Sequence, residues 1–285
     1  MPGSTRRGHA VALIGAVLVA ILVFCTTLAP VLDKHDPLAK NLASGVTELG
    51  TPLPPGLDHP LGTDMLGRCV AARVMHGAAH SLAIGVAATL VALTIGVLVG
   101  AWAGMAGGLA DTLLMRLCDL VLAFPFLLLV IAVAAVLRDS AAARTTVFLI
   151  LGIAGWTTMA RVVRAKVLLL RELDFVAAAR AAGAGRVRIL FRHVLSNLWG
   201  PILVLSTMAV GQMILAESTL SYLGLGTPPP SPTWGRMLRE GQPYLRGAPW
   251  MVIAPGVAIV LAVLGFQLLG EGVRKMIDPR RPGRE

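Results

Sequence analysis

Charge is what this sequence has least of. Asp, Glu, Lys and Arg make up 14% of its 285 residues, against about 25% in soluble domains. That shortage excludes an ordinary water-soluble globule. The net charge of +10 would suit a nucleic-acid partner, but such a partner is met by a solvated basic face, which the chain has too little polar surface to build. Only three cysteines occur, Cys25, Cys69 and Cys118. They form no CxxC and no paired spacing, so neither a disulfide framework nor a zinc site is indicated. No GxxxxGKS/T loop is present, so the chain does not cradle nucleotide phosphates in the P-loop manner. His76 and His80 stand one helical turn apart, but no HExxH and no nearby Cys or Asp completes a metal set. No GxSxG turn offers a nucleophilic serine.

Apolar residues, by contrast, make up 56% of the chain, and the mean hydropathy is +0.77. Stretches without Asp, Glu, Lys or Arg run Ala10–Leu32, Gly77–Ala110, Leu120–Leu137, Thr145–Ala160, Val194–Ala216 and Gly247–Gly270. A helix needs about 20 largely apolar residues to cross the hydrocarbon core. With the third stretch begun near Thr112 and the fourth carried past Arg161, the chain reads as an all-α membrane protein with six transmembrane helices. Continuous apolar runs without alternation exclude a membrane barrel. The first run follows Arg6 and Arg7 as a signal peptide would, but it exceeds a typical signal h-region and has no small-residue cleavage site. It is read as an uncleaved helix.

Six spans leave both termini on one side. If that side is the cytoplasm, the inner segments hold 16 of the 25 Lys and Arg residues and the outer segments 9. The positive-inside bias therefore places both termini in the cytoplasm. The segments become a cytoplasmic N-terminus (1–9), a first helix (10–32), an extracytoplasmic segment (33–76), a transmembrane core (77–275) and a cytoplasmic tail (276–285). Within the core lie a cytoplasmic insert (161–196) and an extracytoplasmic loop (223–246). The Pro- and Gly-rich outer segments are expected to be ordered only where they pack on helix ends or on a partner.

The insert concentrates basic residues: Arg161, Arg164, Lys166, Arg171, Arg180, Arg186, Arg188 and Arg192. In it, "DFVAAARAAG" is punctuated as a short helix. Asp174 suits the N-cap, and Gly183 stands where a left-handed residue would end the helix. Phe175, Ala178, Ala179 and Ala182 share a narrow face on it. After "GAGR", Val187, Leu190, Phe191 and Val194 fall on one face of a second α-helix, with Arg188 and Arg192 on another. Two readings stand open, a basic amphipathic segment on anionic headgroups and a helix that docks in a groove of a cytoplasmic partner. The small size of the first helix's apolar face favours docking.

Other residues are read structurally first. Gly96, Gly100 and Gly104 repeat at i+4 and permit close helix approach, and Pro125 is expected to kink the third span. Arg116 and Asp119 are spaced to pair with each other. Glu217 closes a charge-free span near its outer end. An intramembrane acid is a candidate for the pathway, and loop anchoring competes with that role. Trp234 is expected as an amphipathic anchor at the outer mouth.

The insert resembles the "EAA" loop of ABC-importer permeases, Glu-Ala-Ala, three residues, Gly, then a hydrophobic residue and usually a Pro about thirteen residues on. Here the pattern reads Ala177-Ala178-Ala179, Arg180–Ala182, Gly183, then Val194-Leu195-Ser196. It departs by Ala177 for the usual Glu and by Ser196 for the usual Pro. Three further stretches are similar to the C-type permeases of dipeptide, oligopeptide and nickel importers: "HPLGTDMLGRCVAARVMHGAAHSL" (His59–Leu82), "ESTLSYLGLGTPPPSPTWGRML" (Glu217–Leu238) and "LLGEGVRKMIDPR" (Leu268–Arg280). The resemblance implies a type I importer permease in the bacterial inner membrane, without catalytic activity of its own, for short peptides or, alternatively, for nickel or another small solute. It would form a heterodimer with a B-type permease, with ATPase subunits beneath it and an extracytoplasmic substrate-binding protein above. Asp174, Phe175, Ala177, Ala178, Ala179, Arg180 and Gly183 would couple it to the ATPases. ATP and Mg would belong to those subunits, and neither a metal nor another cofactor is expected on this chain. An ion-coupled carrier would want buried acids or inverted repeats, of which only Glu217 and Asp119 are suggestive. A membrane-embedded enzyme lacks a nucleophile and base.

Overall fold

The computed structural model describes residues 3–32, 36–136 and 143–277. Outside them lie residues 1–2, 33–35, 137–142 and 278–285, with the Lys34, Arg138, Arg280, Arg281 and Arg284 that entered the charge count. The described residues are helical apart from loops, with isolated β-bridges (Val46 to Pro52, Thr63 to Cys69) and no strand among them.

Five helices are long and apolar enough to cross a membrane: α1 (Gly3–Leu32), α2 (Val70–Ala106), α5 (Ala143–Leu170), α8 (Trp199–Leu223) and α10 (Trp250–Ile277). A sixth crossing would be the pair α3 (Gly108–Leu122) and α4 (Phe126–Val136), which turns by 83° between its halves. The sequence leads one to expect a kink at Pro125; the helix is instead broken outright at Ala123–Pro125. Proline removes a backbone donor and disfavours helical geometry in the residue before it. An insert of one turn, Arg186–Arg188 (α7), and the short helices α6 (Asp174–Ala181) and α9 (Trp234–Gly241) complete the set.

The bundle is organised around α2, which lies along α5 and also touches α1, α8 and α10. The glycine stripe explains how closely α2 and α5 approach. A Cβ on Gly96 would stand 2.4 Å from Met159 Cβ, one on Gly100 2.3 Å from the Ala160 carbonyl oxygen, and one on Gly104 2.7 Å from Val167 Cβ. In a lipid solvent, where hydrophobicity does not drive helices together, such close packing supplies the attraction. α1 runs beside α10 and α10 beside α8.

Helix bounds shift where charge is hidden. The absence of charge starts the second span at Gly77, but α2 begins at Val70 and takes Arg73 in as a buried residue, 2% exposed. α5 likewise runs on through Arg161, Arg164 and Lys166, so the first part of the basic stretch continues a span. The start of α8 meets the end of α10, with Gly200 beside Ile277, and Gly8 of α1 lies against Lys275. One end of the bundle therefore gathers the described ends of α1 and α10, the α2–α3 junction and the insert. Segment 36–69 and α9 gather at the other.

Candidate functional site

Two assemblies of polar and basic side chains stand at opposite ends of the bundle. At the insert end, α6 is anchored by one residue that the sequence pattern did not single out. Val176 is wholly buried, in a cluster with Val163, Val167, Ile189, Val194 and Leu198. The face expected to matter points elsewhere. Phe175, Ala178 and Ala182 are exposed, as are Ala177 and Arg180, while Ala179 is half-buried. Asp174 is not the N-cap: Leu173 occupies that position in an extended conformation, and Asp174 is the first helical residue, with no side-chain cap. Its carboxylate still meets the positive end of the helix dipole.

Gly183 has the left-handed conformation expected, with φ +83°. Its N–H donates to the Arg180 carbonyl at 3.0 Å, and the Ala184 N–H donates to that of Ala179 at 3.0 Å. This is the Schellman pair that satisfies the last carbonyls of a helix. A Cβ at Gly183 would project into open space, so backbone conformation, not crowding, selects glycine there.

The second helix departs from its α-period reading. After Arg186–Arg188 the chain forms a π-helix over Ile189–Val194 and a 3₁₀ turn over Leu195–Asn197. Bonding from i to i+5 brings Ile189 and Val194 to the same side, and both are buried. Of the face expected from α spacing, Val187 and Phe191 are 70% and 59% exposed. Leu190 is half-buried and only Val194 is inside.

The eight basic residues divide by role. Arg164 grips Asp111 of α3 with two nitrogens, at 2.7 and 2.5 Å. Arg161 pairs with Asp119, which displaces the expected Arg116–Asp119 pair. Arg171 donates to the Gly104 carbonyl at 2.8 Å, where α2 ends, and to Glu172 at 2.9 Å. Lys166, Arg180, Arg186, Arg188 and Arg192 are exposed and make no ion pair among the described residues. The insert thus exposes small and large apolar side chains, Ala177, Ala178, Phe175, Val187 and Phe191 among them, beside five basic ones.

The opposite end holds a network in which five charged side chains are spent on one another. Asp64, 2% exposed, receives Arg68 Nε at 2.7 Å and Arg73 Nη1 at 2.5 Å. It also accepts the backbone N–H groups of Leu66 and Arg68. Glu240 of α9 takes Arg73 at 2.9 Å, Arg68 at 3.1 Å and Arg236 at 2.8 Å. Burial pushes the Glu240 carboxyl up, but the charges of Arg73 and Arg68 and the hydrogen bond from Arg236 outweigh it and hold the group below the ordinary glutamate value. Three chain segments, the loop before α2, the first turn of α2 and α9, are locked by these five side chains. A signal existed, since Asp64, Arg68 and Arg73 precede a long charge-free run at short intervals, but their partner Glu240 is distant in sequence.

Trp234 is not an amphipathic anchor at the membrane surface. It is wholly buried, its Nε1–H donates to the Val74 carbonyl at 3.0 Å, and its backbone N–H donates to Ser81 Oγ at 3.4 Å. Glu217 is equally buried, in α8 beneath it, and accepts from the Ser221 hydroxyl at 2.6 Å through Oε1. Trp250 closes the same end by donating to the Thr63 carbonyl at 3.0 Å. His76 and His80 each rest Nδ1 on the carbonyl one turn back, at 2.9 and 3.2 Å.

Residues 96–282 match the model of the family described as binding-protein-dependent transport system inner membrane component. The oligopeptide transport system permease protein OppC of Bacillus subtilis is 38% identical over 274 residues, 96% of this chain and 87% of the relative. The dipeptide transport system permease protein DppC of Alkalihalophilus pseudofirmus is 36% identical over the same shares of each chain. The glutathione transport system permease protein GsiD of Shigella flexneri is 41% identical over 281 residues, 98% of this chain and 89% of the relative.

Proposed function

Since the chain belongs to the family of binding-protein-dependent transport system inner membrane components, as a multi-pass permease of an ABC importer, we propose that it forms half of a pathway for short peptides and is driven by separate ATPase subunits. The relatives named for oligopeptides, dipeptides and glutathione support the substrate class. Peptide and glutathione share backbone-like amides and free carboxylates, so one lining suits all three.

The insert carries the proposal. A short helix with an exposed face of mostly small residues, a left-handed glycine stop and five basic side chains without an ion pair among the described residues fits insertion into a groove on a cytoplasmic ATPase. The movement it receives passes to the spans through Val176, Ile189 and Val194, which seat it on α5 and on the run into α8. Asp174, Phe175, Ala177, Ala178, Ala179, Arg180 and Gly183 form the docking element. ATP and Mg stay with the ATPases, and this chain contributes no catalytic group. Both termini and the insert are cytoplasmic, and the permease partner is a B-type subunit. At the far end the locked surface of 36–69 and α9 receives the substrate-binding protein, with Trp234 and Glu217 holding that surface from beneath.

The test is reconstitution of the chain with its partner permease, ATPases and binding protein in proteoliposomes. ATP-dependent uptake of a labelled dipeptide or oligopeptide is expected, with none when either permease is left out. Uptake by this chain alone on an ion gradient would overturn the reading. A single Cys placed at Gly185 should resist an impermeant thiol reagent in intact cells, and strong labelling there would reverse the topology.

A further inference from the structure

A concave face of about 640 Å3 opens between the α3–α4 break, α5 and α8. It lies at the middle of the spans. Gly155 of α5, Met213 of α8 and Ala92 of α2 meet at this depth, and Thr158 and Gln212 are near the midpoints of the apolar segments Val147–Leu170 and Trp199–Leu223. The face is lined by apolar residues and by four polar ones, Thr157, Thr158, Gln212 and Thr219. It contains no titratable side chain.

Two observations on this face are unexpected of a surface turned to lipid. Gln212 and Thr158 are exposed, and neither side chain has a partner among the described residues, whereas Thr219 satisfies its hydroxyl on the Leu215 carbonyl at 2.9 Å. An unpaired carboxamide in hydrocarbon costs several kcal/mol by transfer scales. The second is the backbone. The chain is irregular at Ala123–Pro125, and Phe124 and Phe126, on either side of Pro125, line the same concavity. Non-helical backbone at membrane depth is tolerated only inside protein or against a water-filled cavity, and broken helices mark substrate sites in transporters of other classes.

We infer that Gln212 and Thr158 are the solute-contacting residues of this half of the pathway, and that they recognise the backbone amides of a passing peptide. The inference rests on the transport function proposed above. A carboxamide offers one acceptor and two donors, so Gln212 can pair at once with the N–H and C=O of one residue of an extended peptide, which face the same side, and the Thr158 hydroxyl serves either group. An uncharged, otherwise apolar lining discriminates poorly between acidic, basic and neutral side chains. Weak binding of the backbone lets a solute both enter and leave, as conduction requires.

The experiment uses the complete importer in proteoliposomes. Gln212→Leu, which cannot hydrogen-bond, should lower peptide uptake about tenfold, the loss of one or two modest hydrogen bonds. Stimulation of ATP hydrolysis by loaded binding protein and co-purification of every subunit should be retained. Gln212→Asn should restore part of the uptake, and the Gln212→Leu loss should be similar for peptides with acidic, basic or neutral side chains. Gln212→Cys should react with a small hydrophilic thiol reagent during turnover and be protected by saturating peptide, while Val257→Cys, exposed on α10, should not be protected. Unchanged uptake by Gln212→Leu, or a Cys reached only by apolar reagents, would overturn the inference and leave the transport function standing. Loss of the partner permease on purification of Gln212→Leu would overturn it in favour of a permease–permease interface. No uptake by the unsubstituted complex would instead fail the transport function itself.

Discussion

The two ends of this bundle are held together by opposite chemistry. At one end five charged side chains, Asp64, Arg68, Arg73, Arg236 and Glu240, are consumed in a single network between loop and helices, with Trp234 and Trp250 hydrogen-bonded beside it. At the other, the insert is seated by aliphatic contacts of Val176, Ile189, Val194 and Leu198, and much of its charge is left to solvent. A surface that must keep its shape benefits from buried, geometrically demanding pairs, which are costly to break. An element that must shift against its neighbours is better held by non-directional contact, which tolerates small displacements. The difference assigns rigidity to the proposed binding-protein end and compliance to the proposed ATPase end.

The largest effect should come from cutting the rigid end. Arg73→Met leaves Asp64 and Glu240 with Arg68 as the one cation they still share and removes the most buried positive charge of the network, a change expected to cost about 3–5 kcal/mol. Thermal unfolding of the purified protein in detergent should show a large fall in midpoint. A midpoint within a degree of the parent would mean that the network is ornamental. Val176→Ala should cost less, about 1–2 kcal/mol from the lost methyl groups, and its damage should be local. Hydrogen exchange should accelerate across 174–198 while the spans stay protected, and uniform acceleration would show that the two ends are not independent.

Gly183→Val should cost about 1 kcal/mol or more at a backbone that requires positive φ, too little to prevent insertion of the spans. Membrane level should be normal while ATPase retention and peptide uptake fall together. Normal uptake with normal retention would sink the docking-helix assignment and return the insert to a surface lying on lipid. The smallest effect is titration of Glu240. Its folded pKa lies below the ordinary 4.5, so the unfolded chain binds its proton first as pH falls. Its contribution is therefore present above about pH 4.5 and is lost as the pH drops through the lowered folded value. Unfolding midpoints measured from pH 7 to pH 3 should be flat and then decline, and Glu240→Gln should weaken that acid limb. An identical acid limb in the variant would remove Glu240 from the outer lock.

Much of this was legible one residue at a time. Apolar runs of about twenty residues can be satisfied only as helices in hydrocarbon, so the spans follow from composition. The glycine repeat of α2 announced a close neighbour, and Gly183 announced a left-handed stop, because each property belongs to the residue type itself. The failures share a different cause. Reading helices by absence of charge placed the start of α2 seven residues late, because Arg73 is neutralised by Asp64 and Glu240, and one of these is 167 positions away in sequence. The face of the second insert helix was misassigned because a π-turn changes which residues align, and nothing in Ile189–Val194 marks the change locally. Asp119 chose Arg161 over the nearby Arg116 because α5 passes beside α3. Sequence alone determined the solvent this chain inhabits, its helical character and the stop at Gly183, all set by single residues and short-range sterics. Only the tertiary structure decided which charges are spent, which face of the insert is free, and that Gln212, Thr158 and a broken backbone meet at one depth. Those are pairings between distant segments, and their energy exists only once the helices are packed.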